Sequence, residues 1–323
     1  MRDLVSSCVI VVGAARGDAG HLTGRHLALK DAIVHVVTTE RGLGRLDAHT
    51  VLLLDTPFAH LGQVIEATGS LDVLATAPVR SEFALDDLPD LLAAPLGRPR
   101  AVWGVGLNYH SKAELTGRAV PSDPILYLAA STACAPGAEI ELPAGQTMQM
   151  DYEGEIALIV GRRLYRASAG DVWSSLAGIT AGNDFTARDV MASTQTPTLA
   201  KSFPGFNPIG ASVCTIDSIP DRDAIQVRSW VNGELRQDDT SAGLIFSVPE
   251  LVARISWYAA LEPGDVIMTG TPAGTGQDRK DFLQPGDEVT VEVAGVLPLT
   301  NRVVALPAAR ASLGERTPAP ART

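Results

Sequence analysis

The chain has 323 residues, 46% of them hydrophobic and 20% charged, with a net charge of -11. That length builds one large domain or two around a substantial core. The acidic balance argues against a nucleic-acid footprint or an anionic membrane surface as partner. No apolar run approaches the roughly 18 residues of a membrane span. Met1-Arg2-Asp3-Leu4 lacks a signal-peptide layout. Cys8, Cys134 and Cys214 have neither disulfide nor metal spacing, so they are expected reduced, in a cytoplasmic protein.

In chain order, residues 1–98 read as a small variable N-terminal domain, with strands predicted near 8–12, 33–38 and 51–55. Cys8-Val9-Ile10-Val11-Val12-Gly13, followed by Gly17 and Gly20, resembles the phosphate loop of short-chain dehydrogenases. Those enzymes need a Tyr-x-x-x-Lys pair, which none of the five tyrosines supplies, and the rest of the chain is too β-rich for alternating βαβ units. A plain glycine-rich turn is the better reading, and a nicotinamide-binding oxidoreductase is disfavoured. Ala93 to Arg100 is a proline-punctuated connector.

A larger region spans 99–306. Turn signals recur through it, including Asn232-Gly233, Pro263-Gly264-Asp265 and Pro285-Gly286-Asp287, with short β-rich runs between them. Helices stand out only near 169–177 and 247–260. The pattern predicts a mainly β (α+β) domain, curled or sandwich-like, with helices on its flanks. Residues 307–323 have no hydrophobic period and are expected to be a disordered tail.

The chemistry concentrates at Asp151-Tyr152-Glu153-Gly154-Glu155, which leads into Ile156-Ala157-Leu158-Ile159-Val160. Residues i and i+2 of a strand share a face, with Cα atoms about 6.6 Å apart. Glu153 and Glu155 therefore share a face with Ala157 and Ile159, while Ile156, Leu158 and Val160 line the other. Both faces are apolar, so the strand is expected to be covered on both sides. Two carboxylates there repel and lose hydration unless a cation lies between them. Asp184, in Gly182-Asn183-Asp184-Phe185, offers a third carboxylate. The competing explanation is a solvated Glu-x-Glu edge.

An ordered set of segments decides between these readings. It comprises Val102-Trp103-Gly104-Val105-Gly106-Leu107-Asn108-Tyr109, Asp151 to Glu155, and Gly182-Asn183-Asp184-Phe185-Thr186-Ala187-Arg188-Asp189. Ala200-Lys201-Ser202-Phe203, Asn207-Pro208-Ile209-Gly210 and Gly264 to Pro272 complete it. Over about residues 100–305 the chain resembles the fumarylacetoacetate hydrolase superfamily, in its acylpyruvate hydrolase and 2-hydroxyhepta-2,4-diene-1,7-dioate isomerase-like branch. The resemblance implies a mixed β-sandwich roll with flanking short helices behind a small N-terminal domain, and a homodimer. It also implies Mg²⁺ (or Mn²⁺ or Ca²⁺) on Glu153, Glu155 and Asp184, with open coordination places for a small-molecule substrate. Lys201 is implied to neutralise oxyanion charge and Thr271 to bind a substrate carboxylate. Asn108, Tyr109, Arg188 and Met191 are expected to face the substrate.

The chain also departs from the family. Family members read Asn-Tyr-x-x-His-x-x-Glu, where His and Glu activate water. Here Asn108-Tyr109-His110-Ser111-Lys112-Ala113-Glu114 displaces the histidine, leaving His110, Lys112 and Glu114 as candidate base residues. Ala129, Met191 and Pro204 stand where lysine, glutamine and aspartate are frequent, and each makes the pocket wall more apolar. The expected activity is a metal-dependent reaction on a β-dicarbonyl or 2-oxo acid through an enolate, with C–C hydrolysis favoured. The alternatives are an isomerase, decarboxylase or dehydratase using the same enolate, or a ligand-binding relative without catalysis.

Overall fold

The computed structural model describes residues 34–47, 49–130, 137–143, 145–219 and 221–305. The strand near 8–12, the glycine-rich turn, Cys8, Cys134 and the tail from 307 lie outside the described residues. Strands β1 (His35–Thr39), β2 (Gly42–Asp47), β3 (Thr50–Leu54) and β4 (Val79–Ala84) form an antiparallel meander, with helix α1 (Leu61–Thr68) after β3. The connector leads to β5 (Val102–Gly106), α2 (His110–Thr116) and β6 (Ile125–Ala129), then β7 (Glu139–Leu142), β8 (Met150–Asp151) and β9 (Gly154–Val160). Helix α3 (Ala169–Val172) precedes β10 (Leu176–Asn183), and β11 (Thr186–Ala187) runs into α4 (Arg188–Thr194) and α5 (Pro197–Ala200). After β12 (Ser212–Thr215) come β13 (Gln226–Val231), β14 (Glu234–Thr240), α6 (Val248–Tyr258) and β15 (Val266–Met268). The described chain closes with α7 (Gly276–Arg279), β16 (Glu288–Val293) and β17 (Leu299–Ala305).

These strands make a ten-stranded sheet, ordered β4-β3-β2-β1-β12-β10-β9-β15-β5-β6, and a five-stranded sheet, ordered β14-β13-β16-β17-β7. Both are mixed: β15 pairs in parallel with β5, and β17 with β7. The mainly β, mixed-sheet fold with short flanking helices thus agrees with the sequence. Strands β13 and β16 pack across β9, and β16 also packs against β10, so the two sheets form a sandwich around the centre of the chain.

Strand β9 is buried along its whole length. Ile156, Leu158 and Val160 belong to a core that includes Val227, Val291, Leu251 and Ile255. Ala157 and Ile159 belong to another, with Val36, Leu54, Leu61 and Val266. The expected covering of both faces is therefore met, with residues 36–65 supplying part of one cover. The Asn232-Gly233 hairpin is also met: both residues have positive φ, 52° and 80°, as a tight hairpin turn between right-twisted strands requires. The helix predicted near 169–177 splits into α3 and a 3₁₀ turn at Trp173–Ser175. Helices α1, α2, α4, α5 and α7 lie outside the two helices predicted from the sequence.

Candidate active site and metal centre

The pairing of β9 with β10 assembles the carboxylates. Glu155 is registered opposite Gly182 and Gly154 opposite Asn183, so Asp184 follows β10 beside the start of β9. The Asp184 N–H donates to the Glu153 carbonyl at 2.9 Å, and the Glu153 N–H donates to the Asn183 side-chain oxygen at 3.0 Å. Glu153, Glu155 and Asp184 are all buried, and each offers one oxygen within 4.8 Å of the others. The solvated-edge alternative is thereby excluded. Gly154 sits where the second sheet presses closest: a Cβ there would lie 3.1 Å from Ser229 and 3.2 Å from the Gln237 oxygen.

The cations are distributed unevenly. Lys201, at the end of α5, is buried and donates to Glu153 Oε2 and Asp184 Oδ2, both at 2.6 Å, and to Thr186 Oγ1 at 2.8 Å. Arg188, at the start of α4, bridges Asp151 Oδ2 at 2.7 Å and Glu153 Oε1 at 2.5 Å. Both oxygens of Glu153 therefore face a cation. Burial alone would raise its carboxyl, but Arg188 and then Lys201 outweigh burial and hold it at about 2.

Glu155 lies in the opposite environment. Its Oε2 accepts from the Gly270 N–H at 2.6 Å, while its buried Oε1 has no hydrogen-bond partner among the described residues. Burial, followed by the charges of Asp184 and Glu153, pushes its carboxyl well above the ordinary range. Asp184 is raised by burial too, with Lys201 opposing. It also accepts from Tyr127 Oη and, at 2.5 Å, from Asn207 Nδ2. An orphaned carboxylate oxygen beside two further buried carboxylates is the donor set a hard divalent cation takes, so these residues fit the metal the sequence implies.

The remaining candidates fall in different places. Thr271 is buried, donating to the Gly154 carbonyl at 3.0 Å and accepting from Gln237 Nε2 at 2.7 Å. Asn108 spends its amide on Phe246 and on the Thr269 carbonyl, holding two loops together. Tyr109 is buried and its hydroxyl has no partner among the described residues; burial, then Asp239 and Glu155, push its ionisation up. Met191 lies half-buried on α4, one turn from Arg188. His110 and Glu114 are exposed on α2. Lys112 faces the other way, buried, with its ammonium on Asp278 at 2.6 Å and Thr275 at 2.8 Å.

Several residues of the site were not singled out as such from the sequence. Asp151, Asn183 and Asn207 stand inside the quoted motifs, and their adjacency to the assigned residues was the available signal. Tyr127 and Gln237 carry no local signal. Gln237 ties Gly154 to Thr271 across the two sheets, accepting from the Gly154 N–H at 3.0 Å.

Comparisons with known proteins agree with this geometry. The sequence profile of the fumarylacetoacetate (FAA) hydrolase C-terminal family matches residues 101–304. The chain is 37% identical over 204 residues to a 4-hydroxyphenylacetate degradation bifunctional isomerase/decarboxylase of Escherichia coli, covering 63% of this chain and 46% of that protein. The chain thus spans about half the length of that relative. It is 32% identical over 297 residues to the mitochondrial oxaloacetate tautomerase FAHD2A of Homo sapiens, covering 88% of this chain and 90% of that one. Among solved structures, a fumarylacetoacetate hydrolase from psychrophilic Exiguobacterium antarcticum superposes with a TM-score of 0.75 at 31% identity, covering 84% of this chain and all of that one. A 2-hydroxyhepta-2,4-diene-1,7-dioate isomerase from Mycobacterium marinum superposes with a TM-score of 0.67 at 28% identity, covering 84% of this chain and 98% of that one. No helix among the described residues is long and apolar enough to cross a membrane. With its family segment filling the sandwich and its buried carboxylates in place, the chain belongs to the fumarylacetoacetate hydrolase family of enzymes.

Proposed function

We propose that this chain is a divalent-cation-dependent enzyme that enolises a β-dicarbonyl or 2-oxo acid, with Glu153, Glu155 and Asp184 holding the cation. The observation that carries this reading is a buried charge deficit. Among the described residues, Arg188 and Lys201 pair with Asp151, Glu153 and Asp184, and Glu155 pairs with neither; with all four carboxylates ionised, negative charge exceeds positive by two, as many as one divalent ion carries. When bound, that ion supplies Lewis-acid polarisation of a substrate carbonyl. Mg²⁺ is the proposed ion, with Mn²⁺ or Ca²⁺ as substitutes.

The protein's own groups do the rest. Lys201 holds Glu153 and Asp184 in one geometry and keeps a buried positive charge beside the reacting centre. Asn183 Nδ2 and the Tyr109 hydroxyl, both buried without partners among the described residues, are neutral donors for substrate oxygens. On the family resemblance, Ala129, Met191 and Pro204 replace polar groups of the pocket, which favours a ligand whose far end is uncharged.

Among the branches open to an enolate, we place tautomerisation, isomerisation or decarboxylation first. None of them needs an activated water, and the relatives named above include an oxaloacetate tautomerase and a bifunctional isomerase/decarboxylase. Lys112 is engaged by Asp278 and is unsuited to act as a base. C–C hydrolysis is the second reading, and the exposed His110 and Glu114 on α2 carry it. A homodimer belongs to the proposal on the family resemblance.

The test is proton NMR in D₂O with Mg²⁺, following the C3 protons of oxaloacetate and of a panel of acylpyruvates. Enzyme-dependent exchange that EDTA abolishes supports the enolising reading. No exchange with any of them overturns it. Solvent ¹⁸O in a cleaved product would transfer the assignment to hydrolysis.

A further inference from the structure

Lys112 is buried 163 and 166 residues away in sequence from its two partners, Thr275 and Asp278. The pair joins α2 to the first turn of α7, and its side chains are only 9% and 3% exposed. Asp278 closes that turn: its Oδ2 accepts from the Gly274 N–H at 2.9 Å and the Thr275 N–H at 3.1 Å, in a capping box with Thr275. The same turn points its next two backbone donors elsewhere. The Gly276 N–H donates to Asp151 Oδ1 at 2.6 Å and the Gln277 N–H to Asp151 Oδ2 at 3.0 Å. A Cβ at Gly276 would stand 2.7 Å from Asp151 Oδ1 and 2.4 Å from the Asp281 carbonyl, so only glycine lets the carboxylate come this close.

Asp151 then fixes Arg188, and Arg188 fixes Glu153. One unbroken series of buried polar contacts thus runs from α2 through α7, Asp151 and Arg188 to a candidate metal ligand. The Lys112 charge is itself felt at Glu153. Each link is charge-assisted or made by a backbone N–H, and the side chains of Lys112, Asp278, Asp151, Arg188 and Glu153 are each at most 10% exposed.

We infer that Lys112 and Asp278 are positioning residues for the carboxylate site, setting the orientation of Glu153 through Asp151 and Arg188 and so the affinity for a divalent cation. This rests on the metal reading above. The pair takes no part in proton transfer. It makes the seating of α2 and the geometry of the site two aspects of a single arrangement.

The test is Mn²⁺ affinity by titration calorimetry and Mn²⁺ electron paramagnetic resonance, neither of which depends on turnover. Charge and position predict different signs. By charge alone, Lys112→Met removes a cation near Glu153 and tightens Mn²⁺, Asp278→Asn weakens it, and Thr275→Val changes nothing. By positioning, all three weaken Mn²⁺ by about three- to tenfold. The double variant Lys112→Met/Asp278→Asn is then no weaker than its worse parent, and Lys112→Arg retains most of the affinity.

Tighter or unchanged binding in Lys112→Met overturns the inference, as do losses that add in the double variant. If Lys112→Met does not fold, the uncharged change Thr275→Val decides, and wild-type affinity there overturns it. Absence of Mn²⁺ binding by the wild type would remove the metal reading and this inference together. Normal binding in the wild type and all variants would remove this inference alone.

Discussion

Among the described residues, two buried lysine–carboxylate assemblies differ in balance. At the α2–α7 corner, Lys112 meets one carboxylate, Asp278, which also takes two backbone N–H donors. Charge is matched there, and one oxygen, Asp278 Oδ2, takes the ammonium and both N–H donors. At the start of β9, Lys201 and Arg188 are shared among three carboxylates, Asp151, Glu153 and Asp184, and one oxygen of a fourth, Glu155, is left without a partner among the described residues. Burial is nearly complete in both, so burial does not separate them. The matched assembly is finished as it stands, whereas the unmatched one is complete only with a further positive charge.

The contrast can be attacked from either side, and the strongest blow deepens the deficit. Arg188→Met strips Asp151 and Glu153 of their shared cation and leaves buried charge uncompensated, at a cost of about 3–5 kcal/mol. Urea unfolding checks this, and a cost below about 1 kcal/mol would contradict the count of charges made here.

The next lessens the deficit. Glu155→Gln removes the unpartnered charge, so the cation-free protein is expected to gain stability. The wild type at a hundredfold excess over Kd gains about 2.7 kcal/mol from Mn²⁺, and the variant loses that gain. Thermal melts with EDTA and with Mn²⁺ measure both halves. A variant that still responds fully to Mn²⁺ would place the ion elsewhere.

Acidity sharpens the comparison further, because the two glutamates carry opposite signs. Glu153 is held down, so its contribution to stability is present above its ordinary value near 4.5 and lost as pH falls toward about 2. Glu155 is raised, so without a cation its contribution is present below about 4.5 and lost as pH rises through its folded value. Mn²⁺ competes with that proton, and its affinity is expected to climb with pH over the same interval. Stability curves of cation-free wild type and Glu155→Gln from pH 4.5 to 8 check the sign: both should fall through Asp184, and the wild type should fall more steeply.

The smallest effect is expected at the exposed end of α2. His110→Ala should change stability by less than about 0.5 kcal/mol, and should leave the rate of C3 proton exchange close to wild type. A fall of about 10²- to 10⁴-fold in the rate of a cleavage reaction would instead make His110 the base of the hydrolytic branch.

How much of this was legible in sequence follows from how local each signal is. Glu153 and Glu155 declare themselves because a strand puts i and i+2 on one face, and the apolar residues after them mark a strand covered on both sides. The Asn232-Gly233 turn is equally local, needing two adjacent residues that tolerate positive φ. Asp184 is visible as an available third carboxylate, but its place beside the glutamates, like Lys201 as a whole, comes only from the ordered motifs. The Asp151–Arg188, Lys112–Asp278 and Tyr127–Asp184 contacts join residues 37, 166 and 57 positions apart, and no periodicity encodes such distances. Lys112 shows the limit best: its place in the motif marked it as a candidate base, but only the fold shows what its ammonium holds. The short helices were missed because α2 and α4 span seven residues each, too few to display a repeat.

The junction of β1 with β12 has a practical consequence for anyone who wishes to cut this protein down. His35, Val36 and Val37 register against Cys214, Val213 and Ser212, and the same meander brings Val36, Leu54 and Leu61 over Ala157 and Ile159. A piece starting at residue 99 would retain every carboxylate discussed above. It would also bare the outer rim of β12 as an open row of main-chain donors and acceptors, next to a sheet face stripped of its aliphatic cover. Such a rim recruits other chains. Expressed alone, the trimmed piece should therefore turn up in inclusion bodies, and adding the missing first third as a separate polypeptide should rescue it by supplying the absent strand.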